Sequence, residues 1–390
     1  MLGEIYFLLA VTMACFGYRL TADRSECKFS NVGGLDNGFL VNIVKALMIP
    51  MLLALAILIF SLTDGNLLSL FDLSSGNAMK WLRITERNLI VYVSEALFSA
   101  LIGILLPASV LLLAQKRKSA FTVSMIAYTL YLLSTGSRSP VVGVVLMLIA
   151  PIVEFRRRGI YSVAIRRIFF GVIVSVLLLF TAVSLSRDQI EDNSDQMLEA
   201  VFNAKRLGFI AEEKLLPNFL QLPVNIVTIY FASTFNNYLI AYEESATMEK
   251  SWGYRLFYTE YKALGVLIPM EQSRAEMILF DNTEKLRSIS PTGDQWGMSL
   301  GTLVLEFGAY FALVVSFLQG ILMGWLVKLS RNMENNRRVV IESFLIPVAI
   351  SAALVHPLMS FSTHIQLAIL LIIALKGSRL YKGTVVKGHI

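Results

Sequence analysis

Four kinds of residue in this chain are placed where they could do chemistry: an aspartate just ahead of a long apolar run, an arginine among small residues, histidines beside apolar runs, and arginines among aromatics. Ser290-Pro291-Thr292-Gly293-Asp294-Gln295-Trp296-Gly297 leads directly into the apolar segment that starts at 299. Such a turn puts Asp294 at the start of a helix and at a water boundary, where a carboxylate can take the proton of an attacking hydroxyl. The same position equally suits an N-terminal cap. Arg138 lies in Gly136-Ser137-Arg138-Ser139-Pro140. Pro140 fits the first turn of a helix, whose free N–H groups favour an anion, so Arg138 is a candidate for binding a diphosphate; the alternative is a tight turn with a snorkelling arginine. His356, just before Pro357, and His364 sit near the ends of two apolar runs, where each could serve as base or as pyrophosphate contact, or simply end a helix.

A second group lies further upstream. Trp252, Tyr254, Arg255, Phe257, Tyr258 and Tyr261 fall within ten residues. Planar aromatics beside an arginine can stack on sugar faces and hold a phosphate, and they equally make an aromatic belt at a bilayer surface. Arg274 and Arg287 are further candidates for anion binding, weighed against pairing with nearby acids. Glu306, inside an apolar run, can shape the pocket or pair with an arginine. Lys45 and Glu95 are lone charges in other apolar runs. The chain has no Walker loop, GxSxG elbow, HExxH, CxxC pair or carboxylate cluster with metal-ligand spacing. The expectation is a metal-independent reaction without cofactor, or transport.

The elements that must position these residues are membrane helices. Charged residues make up only 16%, hydrophobic ones 56%, and mean hydropathy is +0.65, more apolar matter than one soluble core of this size can hide. Runs of about 20 apolar residues match a bilayer core of about 30 Å. Between Arg187 and Met298 that texture breaks for roughly 110 residues, too long for a simple connection. The formal charge of +6 divides unevenly: the long loop is acidic and the remainder strongly basic. This suits cytoplasmic basic anchors and argues against nucleic acid as a partner. Cys15 and Cys27 are expected to be free thiols. The first residues carry Glu4 where a signal peptide has bases, so they read as a retained span.

Basic clusters at 115–118, 156–158 with 166–167, 328–338 and 376–387 assign the cytoplasmic side. Residues 119–155 then cross out and back, with Arg138 outside. Spans at about 168–186 and 299–326 flank an external loop, and a hairpin of about 339–358 and 362–376 puts His356 and His364 outside. With spans at about 2–18, 39–60 and 89–114, nine are counted. The domain reading is a transmembrane bundle over 1–186, a helical and partly membrane-associated loop over 187–298, transmembrane helices over 299–376 and a basic tail over 377–390. Residues 219–242 are apolar enough to lie in the interface or re-enter the membrane.

The Gly-Ser-Arg-Ser-Pro turn, the single large loop in the second half, and Pro291-Thr292-Gly293-Asp294 leading into Gly301-Thr302-Leu303-Val304-Leu305-Glu306-Phe307-Gly308 and Gly320 resemble the Wzy-type O-antigen polymerases, the oligosaccharide repeat-unit polymerase family. The resemblance covers about residues 120–375. It implies an all-α polytopic fold of about 9–12 transmembrane helices, GT-C-like, in the bacterial inner membrane with its active face periplasmic. It also implies a glycosyltransferase of lipopolysaccharide biosynthesis that joins undecaprenyl-pyrophosphate-linked units among membrane lipids, beside a chain-length determinant protein and an O-unit flippase. On this reading Arg138 and Arg255 contact pyrophosphate, Asp294 or His356 takes the acceptor proton, and Trp252, Tyr254 and Trp296 stack on sugars. Two alternatives are weighed: an O-antigen ligase, which has a similar layout and transfers glycan to lipid A core, and a polysaccharide transporter or flippase, a different class that would usually show two related halves, where this sequence has no visible halves and one lopsided loop.

Overall fold

The computed structural model describes residues 2–22, 37–66, 89–135, 139–160, 162–163, 165–172, 174–175, 234–258, 274–289, 298–331, 335–351 and 360–386. Among them all regular structure is helical: α1 (Leu2–Thr21), α2 (Asn37–Thr63), α3 (Leu89–Leu113), α4 (Lys118–Thr135), α5 (Ser139–Arg157), α6 (234–244), α7 (Arg274–Ile289), α8 (Met298–Arg331), α9 (Asn335–Ser351) and α10 (Phe361–Val386), with a further helical stretch at 165–172. Leu2–Thr21, Gly38–Thr63, Ile90–Leu113 and Leu300–Arg331 are long and apolar enough to cross a membrane. The chain is thus a helical membrane protein. Of the other expected spans, 119–135 and 139–155 lie in helices α4 and α5, 339–351 in α9 and 362–376 in α10, while 136–138, 352–358 and most of 168–186 lie outside the described residues.

The chain divides into two compact units. The first comprises Met1–Asp23, Asp188–Trp325 and Val348–Ser360. Its core sets Tyr6 and Ala10 of α1 against Tyr238 of α6 and Leu303, Val304 and Ala312 of α8. Small residues govern the α1–α8 contact. A Cβ on Gly320 would run into the Ala14 carbonyl, one on Gly17 into the Phe317 carbonyl, and one on Gly324 into Thr21. With no side chain in the way, the backbones approach closely enough for Thr21 Oγ1 to donate to the Ile321 carbonyl at 3.1 Å. Tyr238 reaches the other end of α1, where its hydroxyl donates to the Gly3 carbonyl at 2.6 Å. The second face of α6 packs through Ile240 and Ala241 against Leu286 of α7 and Leu305 of α8.

The second unit comprises Arg24–Arg187, Leu326–Pro347 and Phe361–Ile390. Its centre is α3, packed by α2, α4, α5 and α10, which leaves Phe98, Ile104, Leu105 and Leu106 with no exposure. Gly103 of α3 lies directly beneath the Gln366 amide of α10. The lone charge Glu95 accepts a hydrogen bond from the Tyr131 hydroxyl at 3.2 Å, and Lys45 is exposed. Within the expected cytoplasmic cluster, buried Glu154 takes Arg158 Nε at 2.6 Å and Arg157 Nη2 at 3.3 Å, and Arg158 also reaches Asn336 at the start of α9. Cys15 is a free, exposed thiol, as expected; Cys27 lies outside the described residues.

Candidate functional site

The long helix α8 is broken at Gly308, whose φ of 78° and ψ of 166° are far from helical. Only glycine adopts this backbone without strain. A break in an apolar helix releases carbonyls that hydrocarbon cannot satisfy, so it must be covered by protein. Here the cover is the turn at 251–258. Trp252 N–H donates to the Glu306 carbonyl at 3.0 Å, and the Tyr6 hydroxyl donates to the carbonyl of Ala309.

The turn is built for this contact. Trp252 and Gly253 both have positive φ, 53° and 92°, and the Tyr254 N–H turns back to the Ser251 carbonyl at 3.2 Å, which leaves the N–H groups of Gly253 and Arg255 facing a single anion. The anion is the carboxylate of Glu306, which is 2% exposed. Gly253 N–H donates to Oε2 at 2.9 Å, Arg255 N–H to the same oxygen at 3.2 Å, and the Ser251 hydroxyl to Oε1 at 2.7 Å. Arg255 meets Glu306 through its backbone N–H and not, in these contacts, through the guanidinium that the expected charge pair would use. Half-buried Lys250 lies against Gly308, and its ammonium donates to the Ser245 carbonyl. Burial pushes its pKa down, and the nearby Glu306 charge works against that shift.

This seat carries candidate residues to the break in α8. Trp252 is 63% exposed and stands edge-on to Phe311, ring centroids 5.6 Å apart; Tyr254 and Tyr258 form a second edge-on pair at 5.8 Å. Arg255 is half-buried between them in sequence. Arg274, at the start of α7, pairs with Glu249 at 2.6 Å, both side chains exposed, and Arg287 is exposed in the last turn of that helix. Lys285 binds Glu244 at 3.1 Å and the Thr247 hydroxyl at 2.7 Å, so α7 is strapped to the segment preceding the turn. His364 is half-buried in the first turn of α10, in the second unit. Arg138, Asp294, Trp296 and His356 lie outside the residues whose structure is described.

Sequence reasoning singled out Trp252, Tyr254, Arg255 and Glu306 individually and missed what joins them. Ser251, Gly253 and Lys250 complete the seat. Two signals were present: glycine among bulky aromatics marks a special backbone position, and a carboxylate in an apolar helix needs partners. Their 53-residue separation carries no periodicity that would pair them.

No protein-family model, curated protein or solved structure matches this chain.

Proposed function

We propose that this protein polymerises undecaprenyl-pyrophosphate-linked O-antigen repeat units at the periplasmic face of the inner membrane, as a GT-C-like glycosyltransferase with one large periplasmic loop. The observation that carries the reading is the seat of the turn Ser251–Tyr258 on the broken helix α8. It sets an arginine and aromatic side chains beside the break, where a lipid-linked sugar diphosphate would meet both hydrocarbon and water. The motifs around Arg138 and Asp294 support it from the sequence.

In the reaction, an acceptor hydroxyl oxygen bonds to the anomeric carbon of the growing chain while that carbon's bond to the pyrophosphate oxygen breaks. Asp294 or His356 takes the hydroxyl proton, and undecaprenyl pyrophosphate leaves with the bonding electrons. Arg138 and Arg255 meet its charge, which is how cationic clamps lower such a barrier. Trp252, Tyr254 and Trp296 hold the sugars, and Arg274, Arg287 and His364 add polar contacts.

The test is the lipopolysaccharide ladder of a deletion strain with and without the restored gene. A polymerase leaves core capped by a single unit, and complementation returns the ladder. Bare core with accumulated lipid-linked polymer would assign the ligase instead, and an unchanged ladder would remove both.

A further inference from the structure

We infer that Glu306 is a positioning residue: its carboxylate locks the turn 251–255 onto the break in α8 and so fixes where Arg255 and Trp252 meet the substrate. The inference rests on the polymerase reading and gives Glu306 a role different from substrate contact.

Three observations support it. Both carboxylate oxygens are already engaged by the turn, through Ser251 Oγ and the N–H groups of Gly253 and Arg255. A buried acid committed in this way has little capacity left for a ligand or for proton transfer. The backbone of the same residue is engaged as well, because its carbonyl, next to the break at Gly308, accepts the Trp252 N–H. Finally, Gly253 leaves space for this docking: a Cβ there would come within 3.2 Å of the Phe307 ring, at a φ of 92° that side chains resist. One residue of α8 thus holds four residues of the turn, Ser251, Trp252, Gly253 and Arg255. Lys250 closes its edge over Gly308.

Losing the carboxylate charge should release the turn without removing Arg255 or the aromatics. Glu306→Gln does this from the helix side and Gly253→Ala from the loop side. The full-length protein and both variants are placed in lipid nanodiscs, amide hydrogen exchange is followed over 251–255, and polymerisation kinetics are measured with lipid-linked repeat unit. In each variant exchange over 251–255 should quicken by about tenfold or more while α1 and α6 keep their protection. The KM for lipid-linked unit should rise by about tenfold, with a smaller fall in kcat. The double variant should be no worse than either single one, because both cut the same link. Unchanged exchange in both variants would overturn the lock. Quickened exchange with wild-type kinetics would overturn its positioning role while leaving the polymerase reading intact. Wild-type protein that polymerises nothing would overturn that reading, and the exchange data would still decide the lock.

Discussion

Arginine side chains carry the sharpest prediction at the residue scale. If Arg138 and Arg255 meet the pyrophosphate, Arg138→Ala and Arg255→Ala should each cut polymer yield by about tenfold or more, the scale of losing a charge-assisted contact to the leaving group. A normal ladder from either, at normal protein abundance, would strip that residue of its role. Gly308 makes a different prediction because its contribution is conformational. Gly308→Ala forces a side chain to hold φ 78° and should cost about 1–3 kcal/mol, seen as a lower melting temperature of the purified protein. The same substitution at Gly171, which has open space where a Cβ would go, should shift melting little.

Among elements, the α1–α8 contact shows how a stripe of small residues becomes a joint. Gly320 and Gly324 are one turn apart on α8, and each is occupied by α1 backbone or by Thr21. Gly320→Leu therefore has to push the helices apart, with an overpacking cost of about 1–3 kcal/mol or more. Thr21→Val keeps the volume and removes a hydroxyl shared between the Ile321 carbonyl and the Gly17 and Tyr18 carbonyls of its own helix, the bond between helices being worth about 0.6 kcal/mol on average inside membranes. Thermal melts of the two variants should rank in that order; a larger effect from Thr21→Val would mean that the hydrogen bond, not close packing, holds the joint. Because α1 and the turn 251–258 both support α8 around its break, loosening the joint should also weaken polymerisation.

At the scale of the whole molecule the basic clusters make a topological prediction. With Cys15 and Cys27 replaced by serine, single cysteines at Lys116 or Arg157 should react with a membrane-impermeant maleimide only after the inner membrane is opened. Cysteines at Phe257 or Phe280, both exposed, should react once reagent reaches the periplasm. Labelling of all four from one side would break the proposed external position of the loop.

Much of the architecture was legible because hydrocarbon imposes a simple code. Spans were visible as apolar runs near 2–18, 39–60, 89–114 and 299–326, and helices α1, α2, α3 and α8 occupy them with ends shifted by a few residues, since length and hydropathy alone decide what can cross. Helix α4 was harder to grade: Lys118 and its serines, threonines and tyrosines dilute an otherwise apolar segment. Individual candidates were legible for a similar reason, as a charge in an apolar run or an arginine among aromatics is conspicuous wherever it folds. What the sequence by itself determined was therefore the helical membrane class and the residue types with chemical capacity. Only the tertiary structure decided that Glu306 receives the turn around Gly253, that Gly308 breaks its helix, and that α1 closes on Gly320 and Gly324. Those outcomes depend on backbone geometry and on contacts between segments tens to hundreds of residues apart, which no local pattern of hydropathy or charge encodes.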